Sequence, residues 1–294
     1  MALSSPSLTL SIEALFGNIK PTLDALGKLG FADFSADKPG VEIKPNTTIK
    51  IPISSVSAAS AYNASSNNYE TGGNTTWAQL TATHYLQGFD ITGENVDAGV
   101  NAARMKNLFA KRAGTGMAMA IQGAVKGALD TVTQSTAVTL GTIGAQSGAP
   151  VLNDYLTLAG SLTWLDKSQS VLAVNGTLLA DIKAKLAAVN VVGTLTELAQ
   201  MLGFKDMVLV PGMTARAAIV PGGSLGFISR VPEIIADYKE TGVETDPDTG
   251  LSVGIVVASV QATNKLIVNA DLWFGVATQG AAAAATSAGI VKIA

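Results

Sequence analysis

The chain has no cysteine and a single histidine, His84. Disulfides and thiol chemistry are excluded, and the absence fits a reducing cytosol. A structural zinc site takes four Cys/His ligands, and this chain cannot assemble them. A nucleophilic triad would rest on His84 alone, and no serine stands in a G-x-S-x-G frame. His84 reads as a packed or surface residue. Charge is also scarce: Asp, Glu, Lys and Arg make up 14% of the 294 residues, where an average soluble protein has about 25%. The formal net charge is −3, so no global field draws nucleic acid. No run of eighteen apolar residues occurs, so no membrane-spanning helix is expected. The first cation is Lys20, so there is no basic n-region of a secretory signal.

What remains is apolar and small. Hydrophobic residues make up 48% of the chain. A surface this poor in charge is expected to be covered by copies of the chain or by a partner. The alternative is a monomer rich in Ala, Gly and Thr. The length allows one large domain or two intertwined lobes. Asn46, Asn63, Asn74 and Asn175 each begin an N-x-[ST] sequon, read here as chance matches in a Thr/Asn-rich sequence.

Along the chain, Ile12, Leu15, Phe16 and Ile19 fall on one helical face that Pro21 follows, and Leu23, Leu26 and Leu29 repeat the pattern weakly. Pro39-Gly40 marks a turn. "VEIKPNTTIKIPISSV" alternates at Val41, Ile43, Ile49, Ile51 and Ile53, a strand period that Pro45 and Pro52 confine to an edge or ribbon. A turn-rich stretch follows. "WAQLTATHYLQGFDI" then alternates again, with Trp77, Gln79, Thr81, Thr83 and Tyr85 on one side and Leu80, Ala82, His84 and Leu86 on the other. The expectation is a long hairpin, which needs a support because an isolated hairpin is marginally stable.

The next segment, Glu94–Asp130, reads as one long helix although it contains Gly99, Gly114, Gly116, Gly123 and Gly127. Each glycine costs about 1 kcal/mol relative to alanine, roughly 5 kcal/mol together. Either packing offsets that, or the helix breaks near Ala113–Gly116. Val100, Ala103, Ala110, Gly114, Met117, Ile121, Val125, Ala128 and Val132 form an apolar face. Arg104, Lys111, Thr115, Gln122 and Lys126 form a polar stripe. From residue 151 the pattern is α/β. Expected elements are a turn or helix at Tyr155–Leu165, a buried strand in "QSVLAVNGT", and helices in "TLLADIKAKLAAV" and "TLTELAQMLGF". Strands follow in "DMVLVPG", "RAAIVPGG" and "SLGFISRVPEI", then an exposed acidic hairpin or loop in "YKETGVETDPDTGLSV". Two strands around "QATNK" and a short terminal strand close the chain. "GGSLG" (222–226) lacks a following Walker lysine and reads as a turn. "ETDPDTG" would place Val257 where a calcium loop needs Glu, and reads as a solvated turn.

This order resembles the major capsid protein of tailed bacteriophages, the Hong Kong 97-like fold. "KSQSVLAVNGTLLADIKAKL" is similar to that family's axial-domain strand and helix, and "DMVLVPGM…RAAIVPGGSLGFISR" to the strands near its capsomer core. "DTGLSVGIVVASVQATNKLIVNADLWFGVA" is similar to its closing strands, with Phe274-Gly275 at their end. The resemblance implies an α+β chain with an N-terminal arm at 1–40 and an E-loop hairpin at 41–91. It implies a peripheral domain with the spine helix at 92–150, an axial domain at 151–245, and closing strands at 246–294 that return to the peripheral domain. It also implies a structural protein without enzymatic activity or cofactor. Such a protein assembles with itself into hexamers and pentamers of an icosahedral shell around double-stranded DNA, without reading its sequence. Portal, scaffolding or decoration proteins are the implied partners. The virion is the implied location, with assembly in the host cytoplasm. Expected contacts between subunits are Ile12, Phe16 and Ile19 in the arm, Lys44 and Lys50 beside the hairpin, and Tyr62, Tyr69 and Trp77 within it. Arg104, Lys111 and Lys126 are candidates to face DNA. The rival expectations are an encapsulin-like compartment with protein cargo, a tail or surface polymer, and a soluble binding module.

Overall fold

The computed structural model describes residues 5–30, 32–33, 48–53, 76–92, 102–132, 167–188, 193–231, 240–245, 251–260, 265–278 and 290–293. The hairpin tip with Tyr62 and Tyr69, Lys44, Gly99, residues 133–150, the segment Tyr155–Leu165 and residues 246–250 lie outside these.

The chain opens with helix α1 (Ser5–Gly27), a two-residue strand β1 (Ala32–Asp33), and strands β2 (Thr48–Ile53), β3 (Thr76–Thr81) and β4 (Thr83–Thr92). The long helix α2 (Ala102–Thr131) follows. Then come β5 (Ser170–Val174), α3 (Gly176–Ala188), α4 (Leu195–Met201), β6 (Asp206–Leu209), β7 (Ala217–Pro221) and β8 (Leu225–Arg230). Strands β9 (Glu240–Thr245), β10 (Ser252–Val260), β11 (Lys265–Thr278) and β12 (Val291–Ile293) close the chain.

Helix α1 runs through Pro21 and carries the apolar pattern on to Leu23 and Leu26. Proline inside a helix costs about 3 kcal/mol. Pro21 lies on the exposed side, and Leu15, Phe16, Ile19, Leu23 and Leu26 are buried on the other. Burying one such side chain contributes about 1.5–3 kcal/mol, so five of them outweigh the proline.

Helix α2 is also continuous; of the two alternatives, the break near Ala113–Gly116 does not occur. Its buried side carries Ala110, Ala113, Met117, Ile121, Val125 and Leu129. Alpha-1 packs along it in the same direction. Asn18 Nδ2 donates to Lys111 O at 2.7 Å, and Gln122 Nε2 donates to Thr22 Oγ1 at 3.3 Å. Gly114 sits at the closest approach, where a Cβ would collide with the Leu15 carbonyl. Gly116 faces the Gln87 side chain of β4, 3.0 Å from where its Cβ would be. Gly123 and Gly127 face open space. Packing therefore accounts for two of the helix glycines and not for the other two.

Two sheets share one core with these helices. The main sheet follows the order β1-β8-β11-β10-β9, and β4 also pairs with β11. Strand β11 alternates strictly. Val268, Ala270, Leu272 and Phe274 are buried beneath the helices, and the residues between them are partly exposed on the outer face. The second sheet has the order β12-β7-β5-β6, with β5 parallel to β6 and wholly buried. Asn175, one of the sequons, caps α3 by accepting from Leu178 N at 2.8 Å. Thr194 and Glu197 form a capping box on α4.

The turn Pro221–Ser224 carries the chain from the second sheet to the main one. Gly223 has φ +75°, and its N–H donates to Gly30 O at 2.9 Å. Sheet membership therefore departs from the expected linear boundaries. Strands β8 and β9, from the 151–245 span, pair in the main sheet. The terminal strand β12 pairs with β7 in the second sheet.

Candidate assembly surfaces

Strands β2 and β3 pair antiparallel from Thr48↔Thr81 to Ile53↔Thr76, which places both arms of the expected hairpin. Pro52 stands opposite Trp77, a position tolerated because β2 is an edge strand. Among the described elements, the one extensive neighbour of β2 is β3, while β3 itself touches β11 and β8. The ribbon is thus held at its root.

That root is where the expected return arm divides. Sequence alternation suggested one strand through Trp77–Ile91, but the chain kinks at Ala82. Leu80 and Ala82 are buried, and beyond the kink His84 and Leu86 are exposed while Tyr85 turns inward. Strand β4 joins the main sheet with Thr83 opposite Phe274, and β3 lifts off across the outer face of β11. Gly275 permits this crossing, since a Cβ there would collide with the Thr81 carbonyl. Leu80 and Ala82 close over Ile228 in a small satellite cluster against Trp273 and Ala277. Alternation alone gave no sign of this, because both halves keep a strand period. The one available signal was Gly275 within an otherwise apolar strand.

The arm residues take a different role from the one expected. Ile19 is 0% exposed and Phe16 is 9% exposed, both within the chain's own core. A side chain already buried against α2 has no surface to offer a neighbour, so the expectation of subunit contacts at Phe16 and Ile19 is corrected to core packing. Ile12 stands in α1, Lys50 in β2 and Trp77 in β3; their side chains lie outside the described residues.

The expected DNA-facing cations also separate. Arg104 stands in the first turn of α2, and its side chain is outside the described residues. Lys111 is exposed. Lys126 donates to Asp130 Oδ2 at 2.9 Å and stays partly exposed.

Asp130 was not singled out in the sequence, yet it organises one end of the molecule. Its carboxylate accepts from Thr214 N at 2.9 Å and Thr214 Oγ1 at 3.1 Å, as well as from Lys126. Its backbone carbonyl accepts from Lys292 Nζ at 2.9 Å. The end of α2 is thereby fastened to the loop after β6 and to β12. Burial pushes the Asp130 carboxyl up, but hydrogen bonds from Lys126 and Thr214 prevail and hold it below the usual range. Asp206 makes a second junction of the same kind. It pairs with Lys28 at 3.0 Å and accepts from Met207 N and Thr196 Oγ1. Burial again opposes and the hydrogen bonds prevail, so its pKa is lowered.

His84 lies on the exposed face of β4, with Nε2 2.5 Å from Asp271 Oδ1 and its ring edge-on to Trp273. Among the described residues, no group of three or more His, Asp or Glu could hold a metal ion, and no helix is long and apolar enough to cross a membrane.

No family model matches the chain, and no curated protein matches it. Solved structures do. A virus-like particle protein from Pyrococcus furiosus aligns over 96% of both chains with 12% identity and a TM-score of 0.55. The capsid protein of Ralstonia phage GP4 aligns over 90% of this chain and 86% of its own, with 10% identity and a TM-score of 0.55. The capsid protein of an empty GTA particle aligns over 92% and 89%, with 11% identity and a TM-score of 0.52. At these identities the likeness is one of fold: the chain has a mixed α+β capsid-protein fold.

Proposed function

We propose that this chain is a structural shell protein of a tailed bacteriophage, whose copies assemble into a closed icosahedral capsid around double-stranded DNA. The observation that carries the reading is the likeness of fold to capsid subunits over about nine-tenths of the chain. The scarcity of charge agrees with it, since an assembling chain gives up surface to its neighbours. The mechanism is multivalent association: contacts that are weak singly add up around closed rings of hexamers and pentamers. The hairpin, with Lys44, Lys50, Tyr62, Tyr69 and Trp77, is the segment that reaches a neighbour, and Ile12 supports it from the arm. Arg104, Lys111 and Lys126 are the cations proposed to meet DNA without reading sequence. Portal, scaffolding or decoration proteins would complete the particle in the host cytoplasm. The protein needs no cofactor and catalyses no reaction.

The match to the Pyrococcus furiosus virus-like particle favours a second reading, an encapsulin-like compartment that holds protein cargo. Negative-stain microscopy and size-exclusion chromatography of the purified protein test both readings. Closed isometric particles, or hexameric and pentameric rings, are the expected result. Nuclease-protected DNA inside them selects the capsid; a co-purifying enzyme selects the compartment. A chain that stays monomeric with salt and crowding agent overturns both and points to a binding module. Helical polymers point to a tail or surface protein.

A further inference from the structure

Among the described residues, polar contacts tie the second sheet to the ends of α1 and α2 at three places. At the first, Asp130 near the end of α2 accepts from Thr214 N and Oγ1, in the loop between β6 and β7, and its carbonyl accepts from Lys292 Nζ of β12. At the second, Gly223 N, just past β7, donates to Gly30 O, just past α1. At the third, Lys28 Nζ, also just past α1, pairs with Asp206 Oδ2 at 3.0 Å, where β6 starts. The strand register places these ties. Asp206, Val171 and Val220 stand in one row across β6, β5 and β7. The second and third ties therefore lie at the same end of the sheet, about 10 Å apart across two strand spacings. Leu209, Val174 and Ala217 form the row at the opposite end, where the loop with Thr214 joins β6 to β7.

Three points off one line fix a body against rotation, and two leave an axis. Apolar packing beneath the sheet resists separation, but it is non-directional and does not by itself set an angle. The ties also differ in what can undo them. The Gly30–Gly223 bond joins backbone groups, and at Asp130 the bonds from Thr214 come from uncharged donors. The third tie is a single ion pair whose Lys28 is 45% exposed. The other described bonds of Asp206, from Met207 N and Thr196 Oγ1, stay on its own side of the seam. Salt screens an exposed ion pair and leaves the other two ties in place. Going beyond the shell reading and independently of it, we infer that the Lys28–Asp206 pair is an ionic clasp that sets the angle between the second sheet and the helices. Closed, it holds one angle. Opened by salt, it lets the sheet swing about the axis through Asp130 and Gly30. The corner that moves is β6, the edge strand of its sheet, with α4 packed on it. The subunit thus carries a change of shape that ionic strength controls.

The absence of native cysteine allows a direct test. Met119→Cys on α2 and Gln200→Cys on α4, both at exposed positions, take spin labels. The labelled chain is diluted into unlabelled wild-type chain, so that double electron–electron resonance reads the distance within one subunit. At about 10 mM salt one narrow distance is expected. At about 1 M salt, where the Debye length is roughly 3 Å, the distribution should at least double in width. Lys28→Gln in the labelled chain should be broad at both salt concentrations. Its position is nearly half exposed, so the variant should fold with an unchanged far-UV spectrum. Lys126→Gln removes the partly exposed ion pair at Asp130 but leaves the Thr214 bonds, and should behave as the labelled parent. A parent distribution of equal width at both salt concentrations overturns the inference, and so does a Lys28→Gln chain that stays narrow at low salt. Broadening by Lys126→Gln at low salt overturns the assignment of the clasp to Lys28. The shell reading is decided separately, by the particle test above.

Discussion

The two faces of α2 use the same residue in opposite ways. On the buried face, Gly114 lets the helix close on α1 until the Leu15 carbonyl occupies the space a Cβ would need. On the open face, Gly123 and Gly127 are exposed and touch nothing. The intrinsic penalty is alike at all three, about 1 kcal/mol each. Only at Gly114 does a contact inside the subunit offset it. A glycine in a helix is therefore evidence of close packing only once the approaching atom is found. Where none exists, the penalty stands uncompensated in the isolated subunit.

The largest effect expected from breaking this contrast is at Gly114. A Gly114→Val side chain meets backbone, which cannot rotate aside, so α1 and α2 must separate or tilt. The expected loss is about 3 kcal/mol or more, read as a shift in the chemical denaturation midpoint. Wild-type stability in this variant would mean that α1 can move off α2 at little cost, and the contrast between the faces would collapse.

A smaller effect is expected where α2 ends. Asp130→Asn removes the carboxylate that binds Lys126 and Thr214 together. Lys126 is more than a third exposed, so solvent screens the ion pair. The Thr214 hydrogen bonds carry most of the loss, about 1–2 kcal/mol at neutral pH. The folded pKa of Asp130 is lowered, so its contribution is full above the unfolded value of about 3.9 and is lost as pH falls through the lowered value. The stability gap between wild type and Asp130→Asn should therefore be constant near neutrality and close as the solution is acidified below about pH 4. A gap that widens in acid would contradict this assignment.

Much of the fold was legible because one physical signal dominated each element. The buried strand β5 is a short apolar run between turn signals, and α4 lies within the short helix read in "TLTELAQMLGF". The continuity of α1 and α2 was only partly legible. Propensity disfavours Pro21 and the glycines of Ala113–Gly116 within a helix, and tertiary burial overrides both. The division of the return arm at Ala82 was hidden because β3 and β4 share one alternation period although they join different partners. The Asp130 and Asp206 junctions were hidden for another reason. Their partners, Thr214, Lys292 and Lys28, are distant in sequence, and an isolated aspartate looks like any solvated charge.

The smallest expected effect is also the cleanest test of the contrast. Gly123 lies on the open face of α2. Alanine adds one methyl into free space and removes backbone freedom from the unfolded chain. Gly123→Ala should raise stability by about 0.5–1 kcal/mol, measured by denaturant titration. The same change at Gly114 should lower it, although both substitutions improve helix propensity equally. Opposite signs from one substitution in one helix would isolate the Leu15 contact as the cause, because propensity cancels between the two variants. Particle formation by Gly123→Ala should match wild type, so a loss of assembly there would place a subunit contact on that face of α2. A fall in stability at both positions would mean that the open face is occupied, and that its glycines serve a packing contact after all.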